Sequence, residues 1–272
     1  MAAESAILPA VAARAAEPSR LAMREFRYWL LRYRRTWRGT IVVSVANPLL
    51  FLIAIGVGLG AIIRPSSTPG GVPYLAFFAP GMLAASAMQN GVVESAFPIS
   101  RAKRPGGSYQ VATATPLEPT DIMVGHLMFM ALRVAMSAFI FAAVMIAFGA
   151  ARSPLVMLTP FAAVLTALAF ATPVMAWAVT LPNPRPVNTA FKWVVMPLYL
   201  FSGTFFAVEQ LPEWLRWLAY VTPLWQGVQL CRTLSLGTAT WTGAAVHVAY
   251  LVVLTVVGLL IARRTYRRYL HP

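Results

Sequence analysis

Hydrophobic and polar positions along this chain fall into long blocks, not the short runs of a soluble fold. Six apolar stretches, at 41–63, 74–97, 122–148, 154–181, 187–207 and 244–262, are separated by polar segments carrying Arg, Pro or Gly. At about 1.5 Å of rise per helical residue, each can cross roughly 30 Å of hydrocarbon. The fifth is the least regular, since it holds Lys192 and Pro197. The interior prolines Pro80, Pro160, Pro173 and Pro197 are compatible with spanning helices whose neighbours satisfy the freed backbone groups. The pattern predicts an all-α polytopic membrane protein with six transmembrane helices.

Two segments break the pattern. Over 20–40, Arg20, Arg24, Arg27, Arg34, Arg35 and Arg38 fall on one side of a helix. Ala22, Phe26, Trp29, Leu30, Tyr33 and Trp37 fall on the other, with Leu31 among the arginines. An arginine face opposite an aromatic face predicts a helix lying in the membrane interface. A basic arm for a soluble partner would not need the aromatic side. The second segment is 208–243. Leu211, Trp214, Leu215 and Leu218 repeat at helical spacing after Pro212, and the apolar stretch 223–236 is too short to span and contains Arg232. These predict a re-entrant or interfacial helical hairpin on the outer face, with Trp214, Trp217, Tyr220 and Trp225 near the headgroups.

Composition strengthens the membrane assignment. Of 272 residues, 59% are hydrophobic and 11% charged, with a mean hydropathy of +0.68; soluble domains carry about 25% charged residues. The net charge of +14 would suggest nucleic acid in a soluble protein. Here the basic residues lie between and outside the apolar blocks, so nucleic-acid binding is not expected. With the N-terminus inside, sixteen basic residues fall on the cytoplasmic side against four outside, which predicts cytoplasmic termini. Arginine and alanine usage points to a GC-rich bacterium and hence to a bacterial plasma membrane. The organisation expected is a flexible 1–19 tail without a secretory signal, the 20–40 interface helix, a 41–262 transmembrane domain and a basic 263–272 tail. The domain includes a cytoplasmic loop at 98–121 and the external hairpin at 208–243.

The chemistry available is sparse. No phosphate-binding glycine loop precedes Lys103 or Lys192, and His126, His247 and His271 show no metal-ligand spacing. Cys231 is the only cysteine, which excludes an intrachain disulfide. Glu94 and Arg133 are intramembrane charges, costly there and candidates for function. Arg133 shares a helical face with His126, so the two line either a cavity or a helix contact. The preferred reading is that Arg133 snorkels and pairs with Glu94 as a structural lock. The 98–121 loop carries Arg101, Lys103 and Arg104, then Pro105-Gly106-Gly107, then a polar helical fragment. It suits a docking surface for another protein.

Several motifs add a resemblance. Ala112-Thr113-Ala114-Thr115-Pro116-Leu117 precedes Asp121-Ile122-Met123-Val124-Gly125-His126. Phe201-Ser202-Gly203-Thr204-Phe205-Phe206 is followed by Glu209-Gln210-Leu211-Pro212-Glu213-Trp214-Leu215, Thr222-Pro223-Leu224-Trp225, Gly227-Val228 and Leu230-Cys231-Arg232. As an ordered set covering nearly the whole chain, these resemble the ABC-2 type permease family. The branch they look most like is that of nodulation-oligosaccharide exporters and daunorubicin-resistance-type drug permeases. Tyr109-Gln110 departs from it, since relatives often carry an acidic residue there, and Pro105-Gly106-Gly107 is unusual.

The resemblance implies a permease subunit of an ATP-binding-cassette exporter, not itself an enzyme. It implies two permease copies, identical or paired with a relative, and two separate ATPase subunits that bind ATP and Mg; no cofactor is expected in this chain. A coupling helix would fall within 99–117, with Arg101, Lys103, Arg104, Tyr109 and Thr113 as contacts and Pro116 and Leu117 in the same loop. A substrate path between copies would draw on Asn47, Met82, Met88, Gln89, Asn90, Ser202 and Thr204. Glu209, Pro212, Glu213, Trp214, Pro223 and Arg232 mark the hairpin. The cargo implied is hydrophobic or amphiphilic: a drug, lipid or glycolipid-like molecule. An ion-coupled secondary carrier is the alternative and would predict an internal repeat, which spans one to three and four to six do not show. A membrane-embedded lipid enzyme is disfavoured by the scarce carboxylates.

Overall fold

A computed structural model of the chain describes residues 18–41, 46, 49–50, 52–58, 71–104, 106–113, 115 and 117–270. Among these the secondary structure is helical, without strands. The elements are α1 (Pro18–Ile41), a π-helical turn (Leu52–Val57), α2 (Tyr74–Ala102), α3 (Ser108–Thr113), α4 (Pro119–Ala147) and α5 (Thr159–Ala178). Beyond these come α6 (Arg185–Ala190), α7 (Met196–Phe201), α8 (Glu213–Val221), α9 (Pro223–Leu236) and α10 (Trp241–Leu270). The 1–17 part of the expected tail, most of the expected first span with Asn47, Pro116, and residues 271–272 lie outside the described residues.

Among the described residues, three helical segments are long and apolar enough to cross a membrane: Pro119–Ala147, Pro154–Ala178 and Trp241–Leu270. α2 is as long as α4 but less apolar, and most of its side chains are buried inside the chain. It packs against α5, α9 and α4. The approach to α5 is close enough that a Cβ on Gly91 would lie 2.7 Å from the Ala167 carbonyl oxygen. Small residues permit such backbone contact where lipid supplies no hydrophobic drive between helices. α10 covers the other side of α5. Only 11% of its most apolar stretch is buried, which leaves its flanks to lipid.

The expected fifth span is a broken element. α6 passes into a π-helical turn at Phe191–Val195 and then α7. Pro197 supplies no N–H and crowds the preceding turn, and the wider turn absorbs that conflict. The helix stops at Phe201, short of the expected 207, because Gly203 takes a left-handed φ of 79°. The basic segment expected as a tail is helical: α10 continues through Arg263, Arg264, Arg267 and Arg268 to Leu270. Arginine is a good helix former, and neither Gly nor Pro interrupts the segment.

The hairpin consists of α8 and α9 joined at Thr222, whose Oγ1 caps α9 by accepting from Trp225 N at 3.3 Å. α8 turns Trp214 and Trp217 outward, each 71% exposed. α9 packs on α2 and α5 with Leu224, Val228, Leu230 and Cys231 buried. Two apolar clusters result. One fills the bundle around α2, α5 and α9. The other lies at the opposite, arginine-rich end and joins Trp29, Ile99, Tyr109, Ile122, Phe129, Met175 and Tyr266.

Candidate functional site

The basic end is built where α1 crosses α4. A Cβ on Gly125 would meet the Ala22 carbonyl oxygen at 2.6 Å, so α1 lies directly on α4 there. The Trp29 ring stacks on His126 with centroids 4.2 Å apart and planes at 9°. Phe129 packs beside it at 5.8 Å. One turn further along α1, Tyr33 lies under the Arg133 guanidinium at 5.3 Å. Arg133 Nη1 also forms an ion pair with Glu94 Oε2 on α2. His126 and Arg133 thus share a helix contact with α1.

Glu25 was not singled out from the sequence, yet it is buried on the aromatic side of α1. Its Oε1 accepts from Trp29 Nε1 at 2.8 Å. Burial raises its pKa from 4.5 to about 7, and the Trp29 hydrogen bond opposes that rise. The signal was its spacing: Ala22, Glu25, Trp29 and Tyr33 follow a three-four-four step that places the acid within the apolar stripe.

The 98–121 segment is shaped by its glycines. α2 runs past Pro98 to Ala102, longer than the expected 97. Gly106 then takes a left-handed φ of 75°, and the chain re-enters a helix as α3. α4 begins at Pro119, its first turn closed by Asp121 Oδ2 accepting from Glu118 N at 3.1 Å.

This geometry divides the expected docking residues. Arg101 and Arg104 are exposed. Lys103 is half-buried, donates to the Val179 carbonyl at the end of α5 and sits 5.2 Å over the Tyr269 ring. Burial lowers its ammonium pKa. Tyr109, expected as a contact, is instead 1% exposed. Its hydroxyl lies 3.1 Å from His126 Nδ1 and 3.4 Å from the Tyr266 hydroxyl on α10. Burial pushes the Tyr109 pKa well above its usual value. The reason for the difference is steric. α3 is one short helix packed against α2 and α4, and its single large aromatic reaches inward to His126 on α4 and Tyr266 on α10. The Thr113 side chain and Pro116 lie outside the described residues.

Val111, which the sequence did not mark, is 64% exposed on α3. A cavity of about 350 Å³ opens beside it between α1 and α3, lined by Arg24, Glu25, Tyr28, Ala112 and Leu117. Mostly apolar walls flanked by Arg24 make this a candidate docking surface.

Of the expected path residues, Asn47 lies outside the described residues and Ser202 lines a cavity beside Trp193, Leu198 and Thr222. Met82 and Met88 are buried inside the chain, Met82 sulfur accepting from the Tyr199 hydroxyl at 3.1 Å. Ser202 and Thr204 are also buried, and Gln89 and Asn90 are half-buried. At the hairpin end, Glu209, Pro212, Glu213 and Trp214 are exposed and Pro223 is half-buried.

Arg232 is 9% exposed and ties three segments together. Its Nε donates to the Phe77 carbonyl at 3.2 Å, Nη2 to the Gly203 carbonyl at 2.7 Å and Nη1 to Gln229 Oε1 at 3.1 Å. The guanidinium lies 3.8 Å over the Phe77 ring.

A bundle of apolar helices with an arginine-faced helix laid across its basic end defines an integral membrane protein. Residues 20–236 match the ABC-2 type transporter family, and the chain belongs to that family. It is similar to Nodulation protein J of Sinorhizobium fredii (strain NBRC 101917 / NGR234), 30% identical over 84% of this chain and 88% of that protein. Nodulation protein J of Neorhizobium galegae is 28% identical over 77% and 81%. That of Rhizobium meliloti (strain 1021) is 26% identical over 90% and 94%. Membership makes the chain an ABC transporter permease, whose family implies ATP-binding subunits as partners.

Proposed function

We propose that this chain is the permease of an ATP-driven exporter that moves a hydrophobic or amphiphilic molecule, such as a drug, lipid or glycolipid-like cargo, out of a bacterial cell. Two permease copies assemble with two ATPase subunits that hold ATP and Mg, and this chain contributes no nucleotide site. The basic end and both termini face the cytoplasm, consistent with the clustering of arginines on α1 and on the last turns of α10. The six-span layout, with α8 and α9 on the outer face, accompanies that orientation.

The observation that carries this reading is the surface between α1 and α3. Val111 and Tyr28 are exposed beside a cavity flanked by Arg24, which suits a partner offering apolar and acidic side chains. Nucleotide-driven closure of the ATPases would move α3. Tyr109 would carry that movement to α4 and α10 through His126 and Tyr266. A conformational drive of this kind requires contacts that differ between the two states.

The test is purification of the tagged chain from its own membranes in mild detergent, with ATP hydrolysis assayed on the preparation. A co-purifying ATPase, lost when Val111→Asp and Leu117→Asp are combined in a chain that still elutes as a single species, supports the reading. A well-folded preparation without ATPase and without hydrolysis overturns it. Ion-gradient transport would then become the question, with Glu94→Gln the first variant.

A further inference from the structure

A second opening at the basic end lies on the side of α1 away from α3. It is a cavity of about 360 Å³ between α1, α4 and α10, walled by Ala22, Met123, Val124, Leu259 and Leu260 and edged by Arg263. Its walls are mostly apolar, with Thr120 and Asp121 on the rim. Both long helices that frame it are apolar enough to span, so it opens at the level where acyl chains meet headgroups.

The polar groups on its rim are nearly all committed. The Asp121 carboxylate caps α4 by accepting from Glu118 N at 3.1 Å. The Thr120 hydroxyl donates to Glu118 Oε2 at 3.2 Å. Glu118 in turn lies 3.8 Å from Arg267, which offsets its charge. Arg263 and its neighbour Arg264 are exposed, and neither forms an ion pair among the described residues. Arg263 sits about one helical turn, some 5 Å, beyond Leu259 and Leu260 toward the end of α10. An apolar slot with a cation one turn nearer the water matches a molecule with an acyl chain and an anionic head.

We infer that this groove binds an anionic phospholipid, its acyl chain against Met123, Val124, Leu259 and Leu260 and its phosphate on Arg263. Basic pockets between transmembrane helices commonly select anionic headgroups. Occupancy would wedge the α1–α4–α10 junction that holds Trp29 and Tyr109, a region distinct from the Val111 docking surface.

The test is native mass spectrometry of the full chain released from a neutral detergent after titration with phosphatidylglycerol or phosphatidylcholine. The expected result is one retained phosphatidylglycerol at concentrations where phosphatidylcholine is not held. Arg263→Gln should weaken it about fivefold, the worth of one arginine near an anionic surface. Arg268→Gln, the same charge loss further along α10, should leave it unchanged. Val124→Trp, which fills the apolar slot without altering charge, should also reduce retention, and thermal melting of each variant checks that the fold persists. Equal retention of the two lipids overturns the inference, as does equal weakening by Arg263→Gln and Arg268→Gln. Loss of the lipid to millimolar inorganic phosphate overturns it as well, since the site would then be one for a free anion.

Discussion

Arg133 and Arg232 are both drawn into the helix bundle, at opposite ends, and they are neutralised differently. Arg133 meets the Glu94 carboxylate and the Tyr33 face. Arg232 forms no ion pair with a carboxylate among the described residues and is held by two backbone carbonyls, Gln229 and the Phe77 ring. The first arrangement joins side chains on separate helices. The second grips the backbone of α2 and of the Gly203 turn. The basic end is also linked through the Tyr109, His126 and Tyr266 side chains.

The sharpest test of that contrast removes the grip. Arg232→Met would leave the Phe77 and Gly203 carbonyls without their donors, at a cost of about 3 kcal/mol or more. The expected outcome is a large drop in the melting temperature in detergent, with Arg232→Lys intermediate because one ammonium cannot reach every partner. A melting temperature unchanged in Arg232→Met would break the comparison. At the other end, Arg133→Gln alone or Glu94→Gln alone should each destabilise by about 2 kcal/mol by leaving a charge unpaired. The double variant should recover part of that loss. A double-mutant cycle with zero coupling would show that the pair contributes nothing.

A smaller effect is expected from Tyr109→Phe, which keeps the ring but removes the hydroxyl from His126 and Tyr266. The loss should be about 1 kcal/mol, and transport per ATP hydrolysed should fall more than hydrolysis itself. Equal changes in both would reduce Tyr109 to a packing residue. The smallest effect concerns Glu25. Its folded pKa, about 7, lies above the ordinary 4.5, so the folded chain binds the proton more tightly. Its contribution to stability therefore declines as pH rises from about 4.5 through 7. Glu25→Gln should raise the melting temperature by a few degrees at pH 8 and leave it unchanged at pH 4. A pH-independent difference would place the effect in packing.

The membrane character and the arginine face of α1 were legible because both rest on period and composition. Arg24, Arg27, Arg34 and Arg35 are exposed and Ala22 and Trp29 buried, as a 3.6-residue period requires. Tyr109 was not legible in this way, and Glu25 only through its step along the apolar stripe of α1. By residue type alone, a tyrosine in a polar loop and an acid among arginines both read as surface residues. They are buried because α1 and α3 fold back over α4, a contact distant in sequence.

The sequence by itself determined which segments are helical and apolar, where Pro and Gly interrupt them, and that one surface helix carries its arginines together. These follow from local backbone preference and from the free energy of moving each side chain out of water. Only the tertiary structure decided which charges meet. Glu94 finds Arg133 across two helices, Arg232 finds carbonyls rather than an acid, and Tyr109 plugs the joint between α4 and α10. Such pairings depend on how helices cross, and small residues such as Gly91 and Gly125 set that by admitting a neighbouring backbone to contact distance.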